Sequence, residues 1–99
     1  MFVHTVFFWL KEKENEQARQ QLHAGLKELA TIDEIQTAYV GAPADTRRPV
    51  IDHTFDFSIT FVFSDDASQE RYQVHPEHLA FIDACKHLWE RVQVYDAVS

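Results

Sequence analysis

Cysteine is nearly absent: Cys85 is the only one among 99 residues. A lone thiol makes no internal disulfide, and the pattern suits a reducing compartment. Beside Ala84 in a helical stretch, Cys85 reads as small core filler rather than as a nucleophile. Glycine and proline are also scarce, at two and three residues, which leaves little room for disorder or low-complexity linkers. The two glycines lie far apart, so there is no Gly-rich phosphate loop, and no cofactor is expected. Basic charge is short as well. Nine Lys and Arg stand against sixteen Asp and Glu, a net charge of −7. Nucleic-acid binding needs a basic patch, and so does attraction to an anionic membrane; neither partner is expected. The acidity reads as a soluble surface. The apolar N-terminus, Met1 to Leu10, is too short to span a bilayer and lacks a basic leader and a cleavage site. A cytoplasmic protein is the expectation.

Aromatic residues are plentiful, with eight Phe in the chain. Ninety-nine residues make one domain able to bury a core without staples. Phe2 to Leu10 reads as a strand, rich in β-branched and aromatic residues. Phe2, His4, Val6, Phe8 and Leu10 point one way; Val3, Thr5, Phe7 and Trp9 point the other. A strand apolar on both faces is covered on both. Helices of so short a chain cover one face of a sheet, so the second cover is expected from another copy of the chain.

After a polar turn, Asn15 or the residues just before it cap a predicted helix running to about Ala30, with Ala18, Leu22, Gly25 or Leu26, and Leu29 at helical spacing. His23 borders its apolar stripe, as an edge residue or a pocket-lining one. Ile32 to Ala42 reads as a second strand, ended by Gly41 and Pro43. Ala44 to His53 is a loop holding Arg47 and Arg48, a solvated pair or a site for an anion. Phe55 to Phe63 is a third strand with Phe55, Phe57, Ile59, Phe61 and Phe63 on its apolar face and Asp56, Ser58, Thr60 and Val62 on the other. Ser64-Asp65-Asp66 starts a short helix to about Tyr72. Pro76 opens the next, with Leu79, Phe81 or Ile82, Cys85, Leu88 and Trp89 on or near its buried side. Arg91 to Asp96 closes the chain as a strand, with Val92 and Val94 on one side. The order β-α-β-β-α-β, with the second helix broken in two, predicts an α+β, ferredoxin-like antiparallel sheet with helices on one face.

The junction Tyr72-Gln-Val-His-Pro-Glu-His78 concentrates a phenol, two imidazoles and a carboxylate. His75 caps the helix at Pro76 in the plainest reading, and Glu77 suits its dipole. A metal reading uses His75 and His78 at i, i+3 with His4 or Glu77, but the Cys and HExxH spacings that mark zinc sites are missing; no metal is expected. His53 and His87 read as surface residues. An imidazole with a pKa near 6.5 is a base at neutral pH, and a phenol near 10 remains a donor. Tyr72 and His78 are therefore either a donor–base pair or a hydrogen-bonded lock on the junction.

His4 in the first strand, Phe57-Ser-Ile-Thr-Phe-Val-Phe63 before an acidic helix start, the Tyr-x-x-His-Pro-x-His core at 72–78 and Trp89-Glu-Arg-Val-Gln-Val-Tyr-Asp96 together resemble the stress-responsive A/B barrel (Dabb) family. The resemblance spans residues 1–99 as a single domain. It implies a ferredoxin-like monomer whose sheet packs on that of a second copy, a homodimeric α/β barrel. It also implies a pocket between sheet and helices. In a plant polyketide cyclase of the family, a Tyr–His pair in this motif closes a linear polyketide by a metal-free aldol condensation. The matching positions are Tyr72 and His78, with a strand His at His4. Other pocket positions of that enzyme correspond to Phe57, His23 and Leu26, where this chain has different residues; Phe81 completes the expected lining. The resemblance implies a small apolar carbonyl ligand, handled by a cofactor-free cyclase or lyase or held by a non-catalytic binding module.

Overall fold

The computed structural model describes residues 1–99. Strand β1 (Phe2–Leu10) is followed by helix α1 (Glu16–Leu29), β2 (Thr37–Gly41), β3 (Phe57–Phe63), α2 (Asp66–Gln73), α3 (Pro76–Cys85), a 3₁₀ turn (Lys86–Leu88) and β4 (Trp89–Val98). The sheet runs β2-β3-β1-β4, and all pairings are antiparallel. This is the ferredoxin-like α+β fold.

Helix starts follow the side chains that satisfy their free N–H groups. The Asn15 carboxamide oxygen accepts from the Ala18 N–H at 3.1 Å, and Asp65 accepts from Ser68 N–H at 2.8 Å. At the third start, His75 Nδ1 accepts from Glu77 N–H at 3.1 Å, and Pro76 takes the first helical position, where no N–H is needed. The junction at 72–78 is thus a helix stop and restart.

The core sits between one sheet face and the helices. Val6, Phe8 and Leu10 of β1 and Phe57, Ile59, Phe61 and Phe63 of β3 meet Leu22, Leu26, Leu29, Tyr72 and Phe81. The opposite sheet face carries Val3, Thr5, Phe7 and Trp9 of β1 with Ser58, Thr60 and Val62 of β3, and no helix of the chain covers it.

Three boundaries differ from the sequence reading. The second strand starts at Thr37, not Ile32. Ile32 and Ile35 form a turn after α1, with Ile35 N–H bonded to the Ile32 carbonyl, and Ile32 is buried in the core. Their β-branched side chains are used for packing, not for a ladder. β3 starts at Phe57, and Phe55 turns to the other sheet face, its ring 4.9 Å from that of Phe7. Asp56, assigned to the polar strand face, is buried instead. It accepts from Lys13 Nζ at 2.7 Å, Arg19 at 2.9 Å and the Leu10 N–H at 2.8 Å. The last strand is longer than predicted because it pairs with the whole of β1.

Candidate functional site

Register builds the site. Cross-strand partners share a sheet face, and β4 places Val92, Val94 and Asp96 opposite Phe8, Val6 and His4. β4 is an edge strand, and the helices leave its inner face partly open; Val92 and Val94 are each 43% exposed. The gap between α3 and β4 is a cavity of about 350 Å³, at the lower end of the range for small-molecule pockets. Val6, Phe8, Ile59, Phe81, Trp89 and Val94 line its apolar part, and His4, Tyr72, Gln73, His78 and Asp96 supply its polar groups.

Tyr72 comes from the last turn of α2 and is 1% exposed, wedged among Phe61, Phe63, His4 and His78. Its ring centroid lies 4.6 Å from that of His78. Its hydroxyl has no hydrogen-bond partner within the chain, yet no buried polar side-chain atom is left unpartnered, so the hydroxyl opens onto the cavity. Burial pushes the phenol pKa well above its usual value, which keeps it a hydrogen-bond donor.

His78 lies in the first turn of α3. Its Nδ1 is 3.1 Å from the Gln73 carbonyl. A carbonyl only accepts, so Nδ1 carries the proton, and in the neutral ring Nε2 keeps its lone pair. Burial lowers the His78 pKa; the Gln73 carbonyl opposes that shift, and His4 and His75 add to it. The ring is therefore neutral at pH 7, with a free basic nitrogen.

His4 is buried at the floor of the site, with Nδ1 2.6 Å from an Asp96 carboxylate oxygen. Nδ1 donates, and the acceptor fixes tautomer and ring orientation. Asp96 did not stand out in the sequence as a site residue. Its signal was the strand alternation that puts Val92, Val94 and Asp96 on one face.

The cavity thus gathers His4, Tyr72, His78 and Phe81 from the predicted set. Phe57, His23 and Leu26 do not line it. His23 stacks on Phe57 with centroids 5.2 Å apart and planes 6° apart, and Arg19 approaches the same Phe57 ring at 5.7 Å. Leu26 is fully buried in the core. No group of three or more His, Cys, Asp or Glu side chains is placed to hold a metal ion. The two imidazoles of the junction face different partners, His75 the Glu77 N–H and His78 the Gln73 carbonyl. No helix is long and apolar enough to cross a membrane.

A four-stranded antiparallel sheet backed by helices, with a polar-ended cavity under its edge strand, places the molecule among ferredoxin-like α+β proteins. The stress responsive A/B barrel domain model matches residues 2–99, and the chain belongs to that Dabb family. A Dabb family protein with a ferredoxin-like fold from Mesorhizobium loti is 27% identical; the match covers 99% of this chain and 95% of that one, with a TM-score of 0.81. A dimeric ferredoxin-like protein of unknown function from Thermobifida fusca is 18% identical over 99% and 90% of the two chains, with a TM-score of 0.78. A hydroxynitrile lyase from Passiflora edulis is 21% identical over 99% and 92%, with a TM-score of 0.79. No curated protein sequence matches the chain.

Proposed function

We propose that this protein is a cytoplasmic, single-domain homodimer whose cavity binds a small, largely apolar carbonyl compound and carries out cofactor-free lyase or cyclase chemistry. The observation that carries the reading is the pairing, in one cavity, of a neutral His78 with a free Nε2 and a Tyr72 hydroxyl with no partner in the protein. The fold shared with a hydroxynitrile lyase agrees with a lyase. The dimer is supported by the uncovered sheet face and by the dimeric relative from Thermobifida fusca.

For an intramolecular aldol addition, His78 Nε2 removes the proton next to one carbonyl. The resulting enolate carbon attacks a second carbonyl of the same molecule, forming the C–C bond as the C=O π bond opens. Tyr72 donates a hydrogen bond to the developing alkoxide, which then takes the proton back from the His78 imidazolium. His4, held by Asp96, offers its second nitrogen to the ligand's polar end. The apolar lining excludes water from the enolate.

The test is turnover of poly-β-keto substrates by wild type and His78→Ala. A positioned base contributes roughly 10²–10⁴-fold, and a loss of that size is expected. No turnover by wild type, or equal rates, defeats the catalytic assignment. The second reading, a non-catalytic binding module, is favoured by the stack of His23 on Phe57 and the burial of Leu26, which leave three pocket positions of the polyketide cyclase outside this cavity. It expects ligand binding without turnover.

A further inference from the structure

Trp9 lies on the sheet face that no helix covers, yet it is only 8% exposed. The guanidinium of Arg91, its cross-strand partner on β4, stands 4.2 Å over its ring. Its indole Nε1–H donates to Thr54 Oγ1 at 2.9 Å. The Thr54 hydroxyl donates in turn to Asp52 Oδ1 at 2.6 Å, and the Thr54 N–H donates to the same oxygen at 2.8 Å. Those two bonds hold the Asp52 carboxyl below its usual value, so it is ionised at neutral pH. One indole thus positions a cation and a carboxylate in the same hollow, a space of about 230 Å³ walled by Phe7, Trp9, Phe55 and Tyr95. Arg91 and Asp52 do not pair with each other, and neither enters any ion pair within the chain. Among the strand residues of this face, Arg91 alone is charged.

A second copy laid on this face takes Arg91 out of water, and a guanidinium buried without a counter-charge is strongly destabilising. A face that meets its own copy across a two-fold axis makes each contact twice, residue i to j and j to i. Asp52 keeps its second carboxylate oxygen free in the same hollow, so the face carries both halves of a reciprocal pair. We propose that two ion pairs join the homodimer, Arg91 of each copy resting on the partner's Asp52, with Trp9 holding both groups in place. Because the two groups share one hollow, the two-fold axis passes beside it, and the two hollows merge into one largely aromatic space. The pairs set which way round the two sheets lie, a choice that an otherwise uncharged face leaves open. This rests on the reading of the chain as a homodimer through the uncovered sheet face.

Charge reversal tests it. Arg91→Glu and Asp52→Lys each place like charges across the axis, and each should raise the dimer Kd by roughly 100-fold or more in sedimentation. Mixed in equal amounts, the two variants should pair with each other, because one copy then carries two carboxylates and the other two cations. Native mass spectrometry distinguishes that heterodimer by its mass. Pairing of Arg91 with Asp52 inside one chain predicts no rescue on mixing. Circular dichroism checks that each variant is folded. If Asp52→Lys is not, Asp52→Asn, which leaves an oxygen for the Thr54 N–H, replaces it. Asp52→Asn and Arg91→Gln should then weaken the dimer by similar factors, and the double variant should be little weaker than either. A wild-type dimer with no heterodimer on mixing, with single variants as tight as wild type, or with independent effects in the double variant overturns the ion pairs and leaves the homodimer standing. A monomeric wild type overturns both.

Discussion

His4 and Asp96 stand at opposite ends of the chain, yet His4 Nδ1 lies 2.6 Å from the Asp96 carboxylate. The β1–β4 register makes them direct cross-strand partners. Removing the carboxylate frees the imidazole to rotate and leaves a buried N–H without an acceptor. The Asp96 side chain is 41% exposed, so solvent recovers part of the loss, and Asp96→Ala should cost about 1 kcal/mol in urea unfolding. The His4 Nδ1 proton should be visible by imidazole NMR in wild type and lost to exchange in the variant.

Tyr72→Phe separates catalysis from structure. The hydroxyl makes no bond within the chain, so its removal should change stability by less than about 0.5 kcal/mol. If the hydroxyl stabilises an oxyanion, turnover should fall by roughly 10²–10³-fold. Because burial raises the Tyr72 pKa, the substitution should leave the ultraviolet titration of the native protein unchanged below about pH 11. Thermal melts of both proteins give the first quantity and steady-state rates the second.

His78 has a pKa below its usual 6.5 in the folded chain. Between the lowered value and about 6.5 the unfolded chain binds more protons at this site than the folded one, so stability rises with pH through that window. Above it both states are neutral and the contribution is constant; below it both are protonated and the contribution is gone. A base with this pKa also makes turnover rise with pH and level off by neutrality. NMR titration of the His78 ring locates the midpoint, and His78→Gln should flatten the acid limb of the stability profile.

Asp56 titrates in the opposite sense. Burial raises its pKa, but hydrogen bonds from Lys13, the Leu10 N–H and Arg19 outweigh that and hold it below the usual carboxylate value. The stability it contributes is complete above about pH 4 and disappears as pH falls through the folded value. Asp56→Ala should cost about 2 kcal/mol near neutrality, since the Leu10 N–H loses its acceptor. The deficit should shrink toward acid, measured as urea midpoints across pH.

The uncovered sheet face predicts self-association. The molecule is a slab of 37 × 32 × 17 Å, so its broad face exceeds the roughly 800 Å² per partner of an ordinary stable interface. Phe7 lies on that face against Phe55 and Tyr95. Sedimentation at micromolar concentration should show a dimer for wild type and a folded monomer for Phe7→Glu. A monomeric wild type defeats the homodimer.

Local pattern made much of this legible. The two-faced alternation of β1, a helix start capped at or just before Asn15, another within Ser64-Asp65-Asp66 and the restart at Pro76 are short-range effects, and each lies where the spacing places it. Boundaries failed where a side chain had two uses. Ile32 and Ile35 are good strand formers but close a turn against the core. Phe55 continues an alternating run but crosses to the other face. Asp56 looks like a solvent-facing strand residue until Lys13 and Arg19, far away in sequence, come to meet it.

The sequence by itself determined the element order, the family and the Tyr72–His78 motif, because periodicity, capping and a compact motif are carried by neighbouring residues. Only the tertiary structure decided what the motif faces. Which residues line the cavity depends on strand register and on the gap between α3 and β4, and both are set by packing between distant segments. That packing brings Asp96 to His4, opens the Tyr72 hydroxyl onto the cavity, and places His23 against Phe57 outside it.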